Sequence, residues 1–379
     1  MSPRLYLGAT GFGLIAVCYG FARFSFGLFL PQIDADLSLS STLSGFISGG
    51  SFLGYCIAIV LSAYLTERTG ARAVAIAAAV VAAVGMLGIA IASSPLLLAS
   101  AVMLAGSSTG LASPPMAAAV AAAVRPDRQS ATNTIINAGT SAGVALSGPV
   151  ALMMGGQWRL AFAGFAAAAF VMALAAALNV PSQTKAASTV AGGLPPLNGA
   201  ILRLIAAAFL MGASSTALWS FGGQLVTIQL GWGSTGAGLL WIAIGVAGIV
   251  GAGAGALVTR YGIDLIHWLF LAALATGIVL VGTSITTPLL ALCGGMLFGA
   301  AYITVTGVYL VWGVSALPDR PATGLMIGFL TIAIGQTAGA PLFGLIMDQL
   351  SPDYAVIVFA CLAFTAGLAR AGKGQLTLA

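Results

Sequence analysis

The side chain with the clearest chemistry is Arg23, in the stretch Tyr19-Gly20-Phe21-Ala22-Arg23-Phe24-Ser25-Phe26. Apart from tyrosine and cysteine it is the only ionisable group in an apolar run from 5 to 30. At the centre of a membrane-crossing helix an arginine costs about 2.5–3.5 kcal/mol on insertion scales, so it faces a cavity, a partner or the interface. A guanidinium is planar and permanently charged, and it grips a carboxylate through two parallel hydrogen bonds. No aspartate or glutamate lies deep in any apolar run, which leaves a ligand to bring the counter-charge. Arg23 lies about seven residues from the end of its run, roughly 10 Å along a helix, so snorkelling to the interface is the competing reading. A second polar group comes from Asn133, Asn137, Thr140 and Ser141, whose spacing puts them on one helical face. The single histidine, His267, follows Asp264 near the start of a run and reads as interfacial. Cys18, Cys56, Cys293 and Cys361 show no CxxC spacing, so neither a disulfide framework nor a metal site is indicated. No nucleophile, base and metal come together, and no cofactor motif is present, so the sequence does not read as an enzyme.

These residues sit in a chain built for a bilayer. Its 379 residues are 60% hydrophobic and 6% charged, with a mean hydropathy of +1.08. Soluble domains carry about 25% charged residues, so the chain is an integral membrane protein. Continuous Ala, Leu, Val, Ile and Gly runs fit helices, whereas a β-barrel would alternate in polarity. Twelve apolar segments stand at 5–30, 41–65, 73–92, 95–124, 130–155, 159–180, 201–230, 235–259, 263–283, 288–314, 322–347 and 353–371. The basic start Met1-Ser2-Pro3-Arg4 precedes a run too long for a signal peptide, so the first segment is retained.

With both termini in the cytoplasm, eleven of the thirteen basic residues fall on the cytoplasmic side: Arg4, Arg68, Arg72, Arg125, Arg128, Lys185, Arg203, Arg260, Arg320, Arg370 and Lys373. Arg159 is the exception, Arg23 lies within the membrane, and the opposite connectors collect Asp34, Asp36, Asp348 and Asp353. The net charge of +5 therefore follows topology and not a nucleic-acid partner. The longest connector divides the chain into bundles 1–180 and 200–379 joined by a flexible cytoplasmic linker, 181–199. Sliding the first half by 192 positions superposes Arg68 on Arg260, Gly70 on Gly262, Pro126-Asp127-Arg128 on Pro318-Asp319-Arg320, Gly143 on Gly335, Pro149 on Pro341 and Gln157 on Gln349. Copies separated by six crossings keep the same orientation, which makes a parallel repeat. The glycine series at Gly49, Gly50 and Gly54 and from Gly245 to Gly255 reads as close helix packing. The pair Pro114-Pro115 is expected to break or kink the fourth segment.

At this point the chain resembles the major facilitator superfamily of secondary transporters. The superfamily's loop motif Gly-x-x-x-Asp-Arg-x-Gly-x-Arg is met by Ala63, Glu67, Arg68, Gly70 and Arg72, with alanine for the first glycine and glutamate for the acid. A degenerate second copy follows at Arg260-Tyr261-Gly262. The resemblance implies an all-α membrane fold of twelve helices in two parallel six-helix bundles, working by alternating access. It implies a cytoplasmic gate from Glu67, Arg68, Gly70, Arg72, Asp127, Arg128, Arg260, Asp319 and Arg320. It also places a substrate site between helices one, four, seven and ten. Candidates there are Tyr19 and Arg23; Thr109 and Ser113; Ser215, Trp219 and Gln224; and Tyr302, Thr306 and Tyr309, joined by Asn133 and Asn137 of helix five. Gly106 stands where proton-coupled members carry arginine, and Gly139, Gly143, Gly148 and Pro149 only approach the antiporter signature. Both departures speak against a proton-driven multidrug exporter.

The expected function is secondary transport of a small organic anion across the cytoplasmic (inner) membrane by a functional monomer with no cofactor. Coupling to a proton or to a counter-anion remains open. Efflux of lipophilic drugs or metabolites is the alternative, and a non-transporting membrane sensor a third reading.

Overall fold

The structure is a computed structural model and describes residues 3–182 and 198–372; Lys185, Lys373 and most of the expected linker lie outside them. In lipid every backbone polar group must find its partner within the protein, and long apolar runs meet that demand as helices. We number them in chain order. α1 runs from Pro3–Ile15 through a π-helical stretch, Ala16–Phe24, into Ser25–Leu37. α2 is Ser41–Thr69, α3 Ala71–Ala90, α4 Pro95–Ala123, α5 Pro126–Met154 and α6 Trp158–Asn179. α7 is Gly199–Trp219 followed by Gly222–Leu230. α8 is Ser234–Gly248 and Ala254–Tyr261 around a 3₁₀ stretch, Ile249–Gly253. α9 is Ile263–Gly282, α10 Pro288–Ala316, α11 Pro321–Gln349 and α12 Pro352–Ala366. Among the described residues eleven spans are long and apolar enough to cross a membrane. α12, with 15 residues, falls short of the roughly 20 that a straight crossing takes.

Short connectors suffice because the sequence starts helices sharply. The side chains of Ser40, Ser94, Asn198, Thr287 and Ser351 each accept a hydrogen bond from a backbone N–H in the first turn of the helix that follows. Proline opens α4, α10 and α12, where its missing N–H is no loss. α4 runs through Pro114 and Pro115 without a break. The carbonyl of Leu111, which Pro115 deprives of its helical donor, instead accepts the Ser62 hydroxyl at 3.2 Å.

The two bundles repeat each other's contacts. α1 packs on α5 as α7 does on α11, α2 on α4 as α8 on α10, and α3 on α6 as α9 on α12. Single glycines turn the chain between α2 and α3 and between α8 and α9: Gly70 at φ +86° and Gly262 at φ +84°. A Cβ on Gly262 would meet nothing within 4 Å, so Gly262→Ala isolates backbone strain. We expect it to cost about 1–3 kcal/mol, read as a lowered Tm of purified protein. The 192-residue register holds at these turns but not throughout. α5 and α11 begin 195 positions apart, at Pro126 and Pro321, and Pro318-Asp319-Arg320 precedes its helix where Pro126-Asp127-Arg128 begins one. Gly139 on Phe12 accordingly matches Gly335 on Phe209.

Two ends can be told apart by charge: a basic end with Arg68, Arg125 and Arg260, and an acidic end with Asp34, Asp36, Asp348 and Asp353. Arg159, the basic residue at the acidic end, donates to the Asp36 carboxylate and to the Ala92 carbonyl. Between bundles, α2 packs on α11 and α5 on α8, and the backbones touch in the acidic-end halves of these helices. A Cβ on Gly45 would lie 2.4 Å from the Ala340 carbonyl oxygen, and one on Gly148 2.5 Å from that of Gly238. The Asp348 carboxylate of α11 accepts from Thr42 N and Thr42 Oγ1 at 2.7 Å and from Ser41 N at 3.2 Å, capping α2. A carboxylate at a helix N-terminus is favourable, and here it also joins the bundles. Asp348→Asn should speed labelling of Ser48→Cys by an impermeant maleimide about two- to fivefold, the range set by such a cap. Unchanged labelling would show that the glycine contacts alone hold this end.

His267 is fully buried against the protein. Its Nε2 lies 3.1 Å from the Tyr309 hydroxyl, and its ring packs against Trp312. α10 covers it.

Candidate functional site

The site is built around the π-helical stretch of α1. Gly20 there presses on Gly143 of α5, where a Cβ would come 2.4 Å from the Gly143 Cα. The wider turn carries i to i+5 hydrogen bonding, and the Ser25 hydroxyl donates to the Gly20 carbonyl five residues back at 2.9 Å. Ile15, Tyr19, Arg23 and Phe24 all line a common cavity. α1 continues through Pro31 to Leu37, so its span is 33 residues, Leu5–Leu37, and Arg23 lies near the middle. The helix end is about 20 Å away at 1.5 Å per residue.

Arg23 is 6% exposed. Its Nη2 donates to Gln336 Oε1 of α11 at 2.5 Å. Gln336 is fully buried, and its Nε2 donates to Ser215 Oγ at 3.2 Å and to the Tyr302 hydroxyl at 3.1 Å. The guanidinium carbon lies 4.6 Å from the Tyr55 ring centre, 4.9 Å from Phe52, 5.2 Å from Phe24 and 5.7 Å from Tyr19. These ring quadrupoles stabilise the cation without neutralising it. Nε has no hydrogen-bond partner, and no ion pair among the described residues includes Arg23. Tyr19 is held in turn by Ser113, 2.9 Å from its hydroxyl.

The cavity encloses about 540 Å³. Of the residues expected from sequence, Tyr19, Arg23, Ser113, Asn133, Asn137, Tyr302 and Thr306 line it, together with Thr140 and Ser141 of the α5 stripe. Its walls on α5, α8 and α11 come from the halves nearer the basic end, such as Asn133, Gly255 and Leu325. The acidic-end halves are closed against each other, so the cavity opens towards the basic end.

Five expected residues stand off the wall. Thr109 and Ser215 are fully buried, and each hydroxyl donates to a carbonyl of its own helix, Gly106 and Gly212. Trp219 stacks on Phe24 at 4.1 Å, behind the lining. Gln224 reaches Ser41 at the acidic end, and Tyr309 faces His267. Sequence reasoning missed Gln336 and Tyr55, the groups nearest the Arg23 charge from α11 and α2. A buried amide alone in an apolar run was the available sign for Gln336, as it was for Asn137.

The residues expected at a gate lie apart at the basic end. Glu67 and Arg68 are exposed, with Arg68 over the Tyr64 ring at 4.3 Å. Arg72 Nε donates to the Val180 carbonyl at 2.6 Å, tying α3 to the end of α6. Asp127 pairs locally with Arg125 at 3.5 Å and Arg128 at 4.0 Å, and Arg260 lies 5.2 Å from its neighbour Tyr261. Among the described residues no ion pair joins Glu67, Arg68 or Arg260 to another helix.

This geometry can be set beside known proteins. Residues 12–333 match the sequence model of the Major Facilitator Superfamily. The chain belongs to that superfamily. Its fold is similar to the crystal structure of a D-xylose-proton symporter, with TM-score 0.81 and 14% identity over 97% of each chain. It is also similar to the partially occluded inward-open xylose transporter XylE from E. coli, with TM-score 0.78 and 15% identity over 97% of each chain. The nucleoside transporter NupG gives TM-score 0.76 and 14% identity over 97% of this chain and 98% of its own. Compared with curated protein sequences, the chain has no significant match. At such identities the likeness carries the fold, and with the superfamily match it makes the chain a multi-pass membrane transporter and not an enzyme.

Proposed function

We propose that this superfamily member moves a small organic anion across the cytoplasmic membrane by alternating access, with the anionic group bound at Arg23. The observation that carries this reading is the charge of the wall: Arg23 is the only charged residue lining the cavity among those described, and it has no carboxylate partner. Burying an uncompensated cation is costly unless something pairs with it, and a carboxylate from the aqueous side supplies the pair. Tyr19, Ser113, Asn133, Asn137, Tyr302 and Thr306 offer hydrogen bonds to the rest of the molecule, and Met116, Ile136, Phe329 and Ile332 offer apolar surface. One cation with mostly apolar surroundings suits a monoanion with an apolar body.

The basic end is taken as cytoplasmic from the distribution of lysine and arginine. Bundles 1–180 and 200–379, joined by 181–199, would then rock about the cavity, and the Glu67 to Arg72 loop with Asp127, Arg128, Arg260, Asp319 and Arg320 would close the cytoplasmic side. Binding of the anion as a monomer, with a proton or a counter-anion coupled to it, fits the same site.

Efflux of lipophilic compounds is the second reading, favoured by the rings of Tyr19, Phe24, Tyr55 and Tyr302 on the wall. Uptake into proteoliposomes separates the two. Under the anion reading, labelled monocarboxylates accumulate saturably and compete with one another while neutral lipophilic dyes do not move. Transport of the dyes with no response to carboxylates would reverse the assignment.

A further inference from the structure

We infer that Gln336 occupies Arg23 as an internal substitute for the substrate's carboxylate, so that an anion must displace it and thereby release a tie between the two bundles. The inference rests on the proposal that Arg23 binds the anion. An amide carbonyl oxygen is an sp² acceptor like a carboxylate oxygen, and Gln336 Oε1 takes Nη2 at 2.5 Å. The bond is charge-assisted, so a neutral ligand that offers only another amide or hydroxyl gains nothing by exchange, whereas a carboxylate does. The adjacent Nε is buried and without a partner, so Gln336 satisfies only part of the guanidinium. A carboxylate engaging Nε and an Nη together would complete it.

The amide is also pinned from its other side. Gln336 Nε2 donates to Ser215 of α7 and Tyr302 of α10, both in its own bundle, while Arg23 belongs to α1 in the other. When the anion takes Arg23, Gln336 is therefore held back with the second bundle and does not follow the guanidinium. Further side-chain hydrogen bonds between the bundles lie nearer the acidic end, among them Asp348 with Ser41 and Thr42, Ser48 with Ser220, and Gln224 with Ser41. The Arg23–Gln336 bond is a tie at the depth of the cavity, where binding can act on it. Gln336 thus sets specificity for charge and couples occupancy to the separation of the bundles.

Thermal-shift titrations with a monocarboxylate series from acetate to benzoate, and the matching amides as neutral controls, test this on purified full-length protein. Wild type should be stabilised by acids and not by amides. Gln336→Leu removes the competitor and should bind the same acid about tenfold tighter, the loss of one hydrogen bond to a charged group. Gln336→Glu places a carboxylate on Arg23 permanently and should abolish the acid-induced shift without lowering the ligand-free Tm. If Gln336→Leu instead weakens binding as Arg23→Gln does, or if Gln336→Glu binds acids like wild type, Gln336 is not a competitor and the inference falls. If no acid stabilises wild type, the anion reading itself fails. Should Gln336→Glu not fold, the Gln336→Leu comparison decides alone.

Discussion

Arg23→Gln is expected to weaken carboxylate binding by at least about a hundredfold and to leave Arg23→Lys between it and wild type. The size follows from what is removed: a charge-assisted hydrogen bond contributes about 1.5–3 kcal/mol net, and a buried carboxylate left without its cation costs about 3–5 kcal/mol. Lysine keeps the charge but loses the planar fork and the stacking on Tyr55 and Phe52, so about tenfold of the loss should remain. Stability should respond in the opposite sense. Arg23 is an unneutralised cation within a membrane-spanning helix, and a neutral glutamine at 23 removes that burial cost, so the ligand-free Tm should hold or rise. A purely structural arginine would behave otherwise, losing Tm and carrying binding down with it. Titration of both variants beside their melting curves reads the two effects separately.

Gly45→Val should have the second large effect, on conformation. In the state described here α2 and α11 close the acidic end so tightly that a Cβ at 45 would sit 2.4 Å from the Ala340 carbonyl oxygen and 3.0 Å from the Pro341 Cα. Both are backbone atoms and cannot step aside by a rotamer change. Valine should therefore depopulate the state open at the basic end, where moving an equilibrium from 99:1 to 1:99 takes about 5.5 kcal/mol. We expect a folded protein with transport reduced about a hundredfold or more, and with Ser48→Cys reactive to an impermeant maleimide. Gly50→Ala is the matched control. Its Cβ would be 3.9 Å from that of Met103, an ordinary contact, and transport should be unaffected. Wild-type transport by Gly45→Val would show that the acidic-end contact is not part of the cycle.

The scaffold was legible because its determinants are local. Apolar runs bounded by Ser, Thr, Asn and Pro give the helices, and Gly70 and Gly262 stand where the repeat demands a backbone turn open to glycine. The departures also have local causes that composition hides. Pro31 removes one backbone donor but does not stop α1, because a helix inside a bundle can lose one hydrogen bond and keep its packing. Asp34 and Asp36 then become part of a helix that the charge pattern alone ends earlier. The site was legible in its charge and in the α5 stripe, where spacing fixes a common face. It was not legible where helical phase decides: Thr109 and Tyr309 have the chemistry of site residues but face their own bundle. Gln336 lies 313 positions from Arg23, and only the packing of one bundle against the other brings the two together.

The most direct measurement is a structure of the protein with a bound carboxylate, benzoate being the first choice for its single charge and apolar ring. The account predicts density for the carboxylate within hydrogen-bond distance of Arg23 Nε and Nη, with the ring among Tyr19, Phe24 and Tyr55 and with Gln336 released from Nη2 but still on Ser215 and Tyr302. Benzoate bound elsewhere in the cavity, with the Arg23–Gln336 hydrogen bond intact, would contradict it.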